Sequence, residues 1–233
     1  MLDRALRRPS PPHAEQKPVR SVQHGVERVD EFAWLRADNW QAVMRDPRLL
    51  DPEIRGYLEA ENAYADAALA DTAALQDTLF AEMKGRLKED ESTVPDPDGA
   101  FAYYVRYREG GQHPMICRTL REGGAEQLLL DGDALAAGKS FFHLGGSMHS
   151  PDQRLLAWTC DERGSEFFTA RVRDLECARD LADDVPETSA SVVWTLDSQA
   201  FYYVRLDEQH RPSEVRLHRL GAPASEDALV FRT

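Results

Sequence analysis

The spacing of apolar residues changes character once along the chain, near Thr93. Before it, Ile54, Tyr57, Leu58, Ala65, Ala68 and Leu69 recur at intervals of three and four, which predicts one apolar helix face. Asp51-Pro52 marks the start of that helix. A carboxylate can cap the free amide groups, and proline has no amide to leave unpaired at the first helical position. Leu75, Leu79 and Met83 form a second stripe, with Asp71-Thr72 expected to cap it and Gly85 to end it. Upstream, Pro9, Pro11, Pro12 and Pro18 exclude regular helix, so residues 1–38 are expected to run extended over another surface.

Beyond Thr93 the pattern is that of strands. Tyr103, Tyr104, Val105 and Tyr107 favour a pleated surface, and turn residues return roughly every ten positions, as in all-β architecture. A unit also repeats. Asp96-Pro97-Asp98-Gly99 leads into Ala100–Val105, Ser150-Pro151-Asp152-Gln153 into Arg154–Thr159, and Thr195-Leu196-Asp197-Ser198 into Gln199–Val204. Each is a tight turn around an aspartate followed by an apolar, aromatic strand. Asp98, Asp152 and Asp197 lie 54 and 45 residues apart, a period that fits the blades of a β-propeller. Further strands are expected at Met115–Arg118, Thr169–Arg173 and Glu214–His218, with turns at Asp174-Leu175 and Leu220-Gly221. A generic β-sandwich would also alternate strands and turns. The threefold recurrence of the unit favours a partial propeller of about three blades.

Composition narrows the function classes. The net charge of −13, with no long basic stretch, argues against a nucleic-acid partner. It suits cationic substrates, and solubility accounts for it equally well. No apolar run approaches the roughly 20 residues of a membrane helix, and the first residues carry no apolar segment of a secretory signal. A cytoplasmic protein without a membrane partner is expected. Cys117, Cys160 and Cys177 are widely spaced and odd in number, so reduced structural thiols are expected rather than a disulfide framework or a zinc site.

Candidate chemistry is sparse. A nucleophile elbow needs G-x-S-x-G, and the nearest string, Gly145-Gly146-Ser147-Met148-His149, lacks the second glycine. Ser147 is therefore not expected to be a nucleophile. His143 and His149 flank the same Gly-Gly pair and form a conceivable metal pair, but ordinary loop histidines explain them better. His24-Gly25 reads as a positioning element. Glu59 and Glu61 fall on different helix faces, which makes them poor partners in acid–base chemistry. Lys88-Glu89-Asp90-Glu91 is expected to face solvent where helix gives way to strand. No Gly-rich phosphate loop is present. No catalytic, cofactor-binding or metal-ligating residue is assigned, and no cofactor is expected.

The opening of the chain carries a dense resemblance. Pro11-Pro12-x-Ala14, Pro18, His24-Gly25, Arg28-Val29-Asp30 and Phe32-x-Trp34-Leu35-Arg36 resemble the start of prolyl oligopeptidase family proteins. Tyr57–Tyr64 is similar to the helical stretch that follows there, and Leu79–Arg86 resembles the oligopeptidase B branch. The likeness continues through the repeats. It implies a helical segment, residues 1–90, that packs on an α/β-hydrolase domain, and a propeller, residues 91–233, that caps the active site. The family propeller has seven blades. The resemblance places the catalytic Ser, Asp and His, and the acidic residues that select Arg or Lys, in a C-terminal domain absent from these residues. The expected function is the substrate-gating, N-terminal part of an oligopeptidase B-like serine endopeptidase acting on short peptides, inactive alone. Its partners would be those peptides and the missing catalytic domain. Leu229–Thr233 reads as the beginning of a strand, so a truncated chain is expected. A non-catalytic interaction module and an inactive remnant are the alternatives.

Overall fold

A computed structural model describes residues 9–233, which form two compact units, the first ending at Leu87 and the second spanning Lys88–Thr233. The first unit opens with a hairpin, β1 (Val19–Gln23) and β2 (Val26–Asp30). His24 and Gly25, at φ 52° and 79°, make its two-residue turn, a geometry that matches the twist of paired strands and that glycine adopts without strain. The proline-rich arm before it is tied down locally. The Trp34 indole donates to the Glu15 carbonyl at 2.7 Å, and Lys17 pairs with Glu53 while lying 4.7 Å from the Trp34 ring centre.

Three helices follow: α1 (Trp40–Arg45), α2 (Pro52–Leu69) and α3 (Ala73–Lys84). Asp51 caps α2 as expected, its carboxylate accepting from the amides of Glu53 (2.8 Å) and Ile54 (3.3 Å). The cap expected at Asp71-Thr72 does not form. A single 3₁₀ turn, Ala70–Thr72, carries the chain from α2 to α3 without leaving helical dihedrals, and the Thr72 hydroxyl donates back to the Leu69 carbonyl. The start of α3 is therefore never free to need a cap. Gly85 does end α3, with right-handed dihedrals and 3₁₀-type bonds from Arg86 and Leu87 to Met83 and Lys84. Within this unit only Ile54 of the predicted α2 stripe is buried; Leu58, Leu69, Leu75, Leu79 and Met83 stay exposed.

The second unit contains two antiparallel sheets. One joins β3 (Asp96–Asp98), β4 (Phe101–Arg106), β5 (Met115–Leu120) and β6 (Gln127–Asp131) in sequence order. A short α4 (Gly132–Ala136) leads to the other. Its seven strands also lie in chain order: β7 (His143–His149), β8 (Leu155–Asp161), β9 (Phe168–Asp174), β10 (Arg179–Trp194), β11 (Ala200–Leu206), β12 (Pro212–Arg219) and β13 (Ala228–Arg232). β10 serves two blades. Its first part pairs with β9 up to Thr188, and its last part pairs with β11 from Thr188 onward. Pro186, which lacks an amide for the ladder, and Glu187 at φ 59° sit at the changeover.

Split there, the sheets read as three four-stranded blades, β3–β6, β7 to early β10, and late β10 to β13. Leu229–Phe231 belongs to β13, the fourth strand of the third blade, and is exposed. The apolar cores lie between blades. Leu129, Leu130 and Phe142 pack with Leu156 and Trp158 at the first boundary; Val172 and Val185 pack with Val192, Trp194 and Phe201 at the second. Trp158 and Phe201 are essentially inaccessible, and each such burial stabilises by about 2–3 kcal/mol.

Candidate functional site

The repeated aspartate turns join the first and second strands of each blade. In the second blade Ser150 Oγ donates to Asp152 at 2.6 Å and accepts from the Leu155 amide at 3.0 Å, while Asp152 also accepts from the Arg154 amide. In the third blade Thr195 and Asp197 repeat this, with Thr195 Oγ1 accepting from the Ala200 amide at 3.2 Å and the Gln199 amide donating to Asp197. Hydroxyl and carboxylate thus replace the backbone partners that a sharp turn leaves out. The Ser150 donor holds the Asp152 carboxyl below the usual carboxylate range, and Thr195 does the same to Asp197.

Beside the second-blade turn, a groove of about 470 Å³ runs between the first two blades. Phe101, Arg118, Asp152, Gln153, Arg173 and Glu176 contribute to its lining. Arg118 lies over the Phe101 ring, 3.9 Å from its centre, and donates to Gln127 Oε1 and the Gln153 carbonyl, both at 2.7 Å. Arg173 grips Asp180 with two nitrogens and reaches the Leu129 carbonyl at 3.1 Å. The groove can therefore hold polar or charged segments by hydrogen bonding. Its lining contains no serine, cysteine or histidine, so it offers no side chain of the types that attack a peptide carbonyl.

Ser147 sits mid-strand in β7, opposite Trp158. The two glycines before it form a bulge, since three β7 steps from Leu144 to Ser147 match two β8 steps. Thr159 fills that bulge. It accepts from the Gly146 amide and donates to the Ala190 carbonyl, both at 2.9 Å. A Cβ on Gly146 would stand 2.4 Å from the Ala190 oxygen, so the Gly-Gly pair lets β7 approach β10 closely. A nucleophile elbow is a strand-to-helix turn, and this is neither.

His143 and His149 occupy opposite ends of β7, about 20 Å apart on an extended strand, so they cannot share a metal ion. His149 stacks on Tyr103 and contacts Asp98 at 2.7 Å; His143 meets the Phe168 ring edge-on. Among the described residues no group of three or more His, Cys, Asp or Glu could hold a metal. Glu61 accepts from the Tyr57 hydroxyl, while Glu59 is exposed and separate. In the 88–91 run, Glu89 accepts from the Gly110 amide and the other three side chains are exposed. Burial pushes the Cys117 and Cys160 thiols up to about 11, which keeps both protonated and inert at neutral pH. No helix among the described residues is long and apolar enough to cross a membrane.

Sequence reasoning missed the groove. Phe101 and Gln153 belong to the repeated turn-and-strand units, but nothing local to either unit shows that they meet each other and Arg118.

Successive four-stranded antiparallel sheets, packed through their faces and stitched at their turns, define the chain as β-propeller in class. It belongs to the prolyl oligopeptidase family, whose N-terminal beta-propeller domain model matches residues 11–233. Dipeptidyl aminopeptidase BI of Pseudoxanthomonas mexicana is 35% identical over 95% of this chain and 32% of its own length. Oligopeptidase B from Leishmania major superimposes with a TM-score of 0.87 at 28% identity, over 96% of this chain and 33% of that one. Oligopeptidase B from Trypanosoma brucei gives 0.81 at 28%, over 94% and 32%. The chain thus spans about a third of the length of the relatives it matches.

Proposed function

We infer that these residues form the substrate-gating propeller portion of an oligopeptidase B-like serine peptidase that acts on short peptides, with hydrolysis carried out by residues outside this chain. The family match over residues 11–233 carries this reading. Supporting it, the candidate groove offers hydrogen-bonding groups without a nucleophile, and the one elbow-like string, at Ser147, is spent on strand packing. The role is to exclude and to position: a propeller held in front of a catalytic centre admits a flexible peptide and turns away a folded protein. Cleavage after Arg or Lys is part of the proposal, in keeping with the net charge of −13.

A chimera tests the gate. Residues 11–233 replace the matching region of the Leishmania major oligopeptidase B. The chimera is expected to cleave short arginyl peptides and to spare a folded protein of the same motif. Cleavage of both at similar rates would contradict gating.

One observation favours a second reading, release of dipeptides from a free N-terminus: the 35%-identical relative is named a dipeptidyl aminopeptidase. Paired substrates with free and acetylated N-termini separate the two. An endopeptidase cuts both; a dipeptidyl peptidase cuts only the free one.

A further inference from the structure

A group of buried ionisable side chains lies at the seam between the second and third blades, away from the groove. A bulge in β10 creates it. Asp180 pairs with Arg173 and Asp184 with Arg171, so β10 carries two more residues than β9 over this stretch. The surplus turns Asp183 off the ladder and into the third blade. There Asp183 Oδ1 meets His218 Nε2 of β12 at 3.0 Å and accepts from the Gly221 amide at 2.7 Å. On the other side of the ring, His218 Nδ1 meets Asp227 Oδ1 at 2.8 Å, and Asp227 Oδ2 accepts from the Tyr203 hydroxyl at 2.8 Å. His218 is wholly inaccessible, and Asp183, Asp227 and Tyr203 are all buried.

Hydrogen-bond arithmetic constrains the protons. A carboxylate only accepts, and a neutral imidazole has one N–H. Both ring nitrogens face carboxyl oxygens, so a neutral ring would need one carboxyl to carry a proton. Each carboxyl already receives a further donor, Gly221 or Tyr203, as an ionised group would. Burial first, then the adjacent Asp227, holds the Tyr203 phenol far above its ordinary value, so its hydroxyl keeps a proton to donate. Arg216 of β12 lies close by, its guanidinium 3.4 Å from the Asp227 carbonyl and paired with Glu214 at 2.6 Å, and Arg205 of β11 also acts on Tyr203.

We propose that His218 is held as an imidazolium between Asp183 and Asp227, and that this buried triad clasps the second blade to the third. The apolar packing between these blades is non-directional, and the other links across the seam, Asp152 to Ser198, Thr159 to Ala190 and Trp194 to Met148, are neutral hydrogen bonds. A charge-assisted pair on each side of one ring fixes how β12 meets β10. Loss of one carboxylate charge leaves the ring free to drop a proton and the seam free to open.

Imidazole nitrogen NMR on the uniformly labelled 233-residue chain reads the protonation directly, with His218 assigned through its contact with the Phe201 ring, 5.1 Å away. At neutral pH both nitrogens are expected to carry protons; a neutral tautomer would overturn the proposal. Asp183→Asn keeps an acceptor of the same shape and removes the charge. In that variant the ring is expected to become a neutral tautomer. Amide exchange in β10 and β12 is expected to quicken about tenfold relative to β4 and β5, the equivalent of one charge-assisted bond. An unchanged ring, or exchange that quickens equally in all three blades, would also overturn it.

Discussion

Gln153 reaches across a blade boundary to Asp98. Its side-chain amide donates to the Asp98 carbonyl at 2.7 Å, and its oxygen accepts from the Ala100 amide at 3.3 Å. Ser198, the matching residue of the next turn, accepts from the Asp152 amide at 3.1 Å. Both residues adopt positive φ, 63° and 59°. In the second and third turns the left-handed residue therefore hands a side chain to the turn before it. Gln153→Ala is expected to lower stability by about 1 kcal/mol, read as a lower urea midpoint at unchanged slope. An unchanged midpoint would show that this link contributes nothing.

Gly146 and Ser147 are neighbours with opposite expected sensitivities. A Cβ at Gly146 collides with the Ala190 carbonyl at 2.4 Å, where backbone must move to make room. Gly146→Ala is expected to cost about 1–3 kcal/mol. Ser147→Ala is expected to shift stability by less than about 0.5 kcal/mol. Thermal and urea unfolding of the two variants checks the contrast.

These positions also show how far the sequence could be read. The aspartate turns were legible because a hydroxyl or proline, an aspartate and a strand recur in one local string, and the turn chemistry is contained in it. The cap at Asp51 was legible for the same reason. The cap expected at Asp71 failed because a local signal was outweighed by continuous helical dihedrals from α2 into α3. The division of β10 between two blades left one local mark, Pro186, which says nothing of which strands pair on either side. The meeting of Asp183 with His218 has no local signature, because it depends on the bulge between Asp180 and Asp184, whose place is set by the partner strand. The groove was hidden likewise, because its residues converge only once the blades stack.

Glu126 should contribute to acid sensitivity. The Arg106 guanidinium, at 2.6–3.1 Å, and then the Tyr104 hydroxyl, at 2.7 Å, hold its carboxyl down at about 2, against an ordinary 4.5. A depressed folded value stabilises fully above the unfolded value and is lost as pH falls through the folded one. The contribution should therefore fade between pH 4.5 and about 2. Glu126→Gln is expected to flatten the fall in stability across that window, measured by denaturant unfolding at stepped pH. Parallel curves for variant and parent would assign the acid loss to other groups.

Thiol reactivity should report the blades directly. Cys177 is exposed, whereas Cys117 and Cys160 are buried with thiols pushed up to about 11. A maleimide at neutral pH is expected to label only Cys177 in the folded chain and all three cysteines in denaturant. Rapid labelling of Cys117 or Cys160 without denaturant would mean that the strands carrying them, β5 and β8, are not packed as described.

The most direct test treats the purified 233-residue chain with a fluorophosphonate probe and maps the adduct by mass spectrometry. A chain that supplies the propeller and leaves hydrolysis to residues elsewhere should show no labelled serine and no cleavage of an arginyl peptide. An adduct on Ser147, or on any serine whose change to alanine abolishes cleavage, would contradict that division of labour.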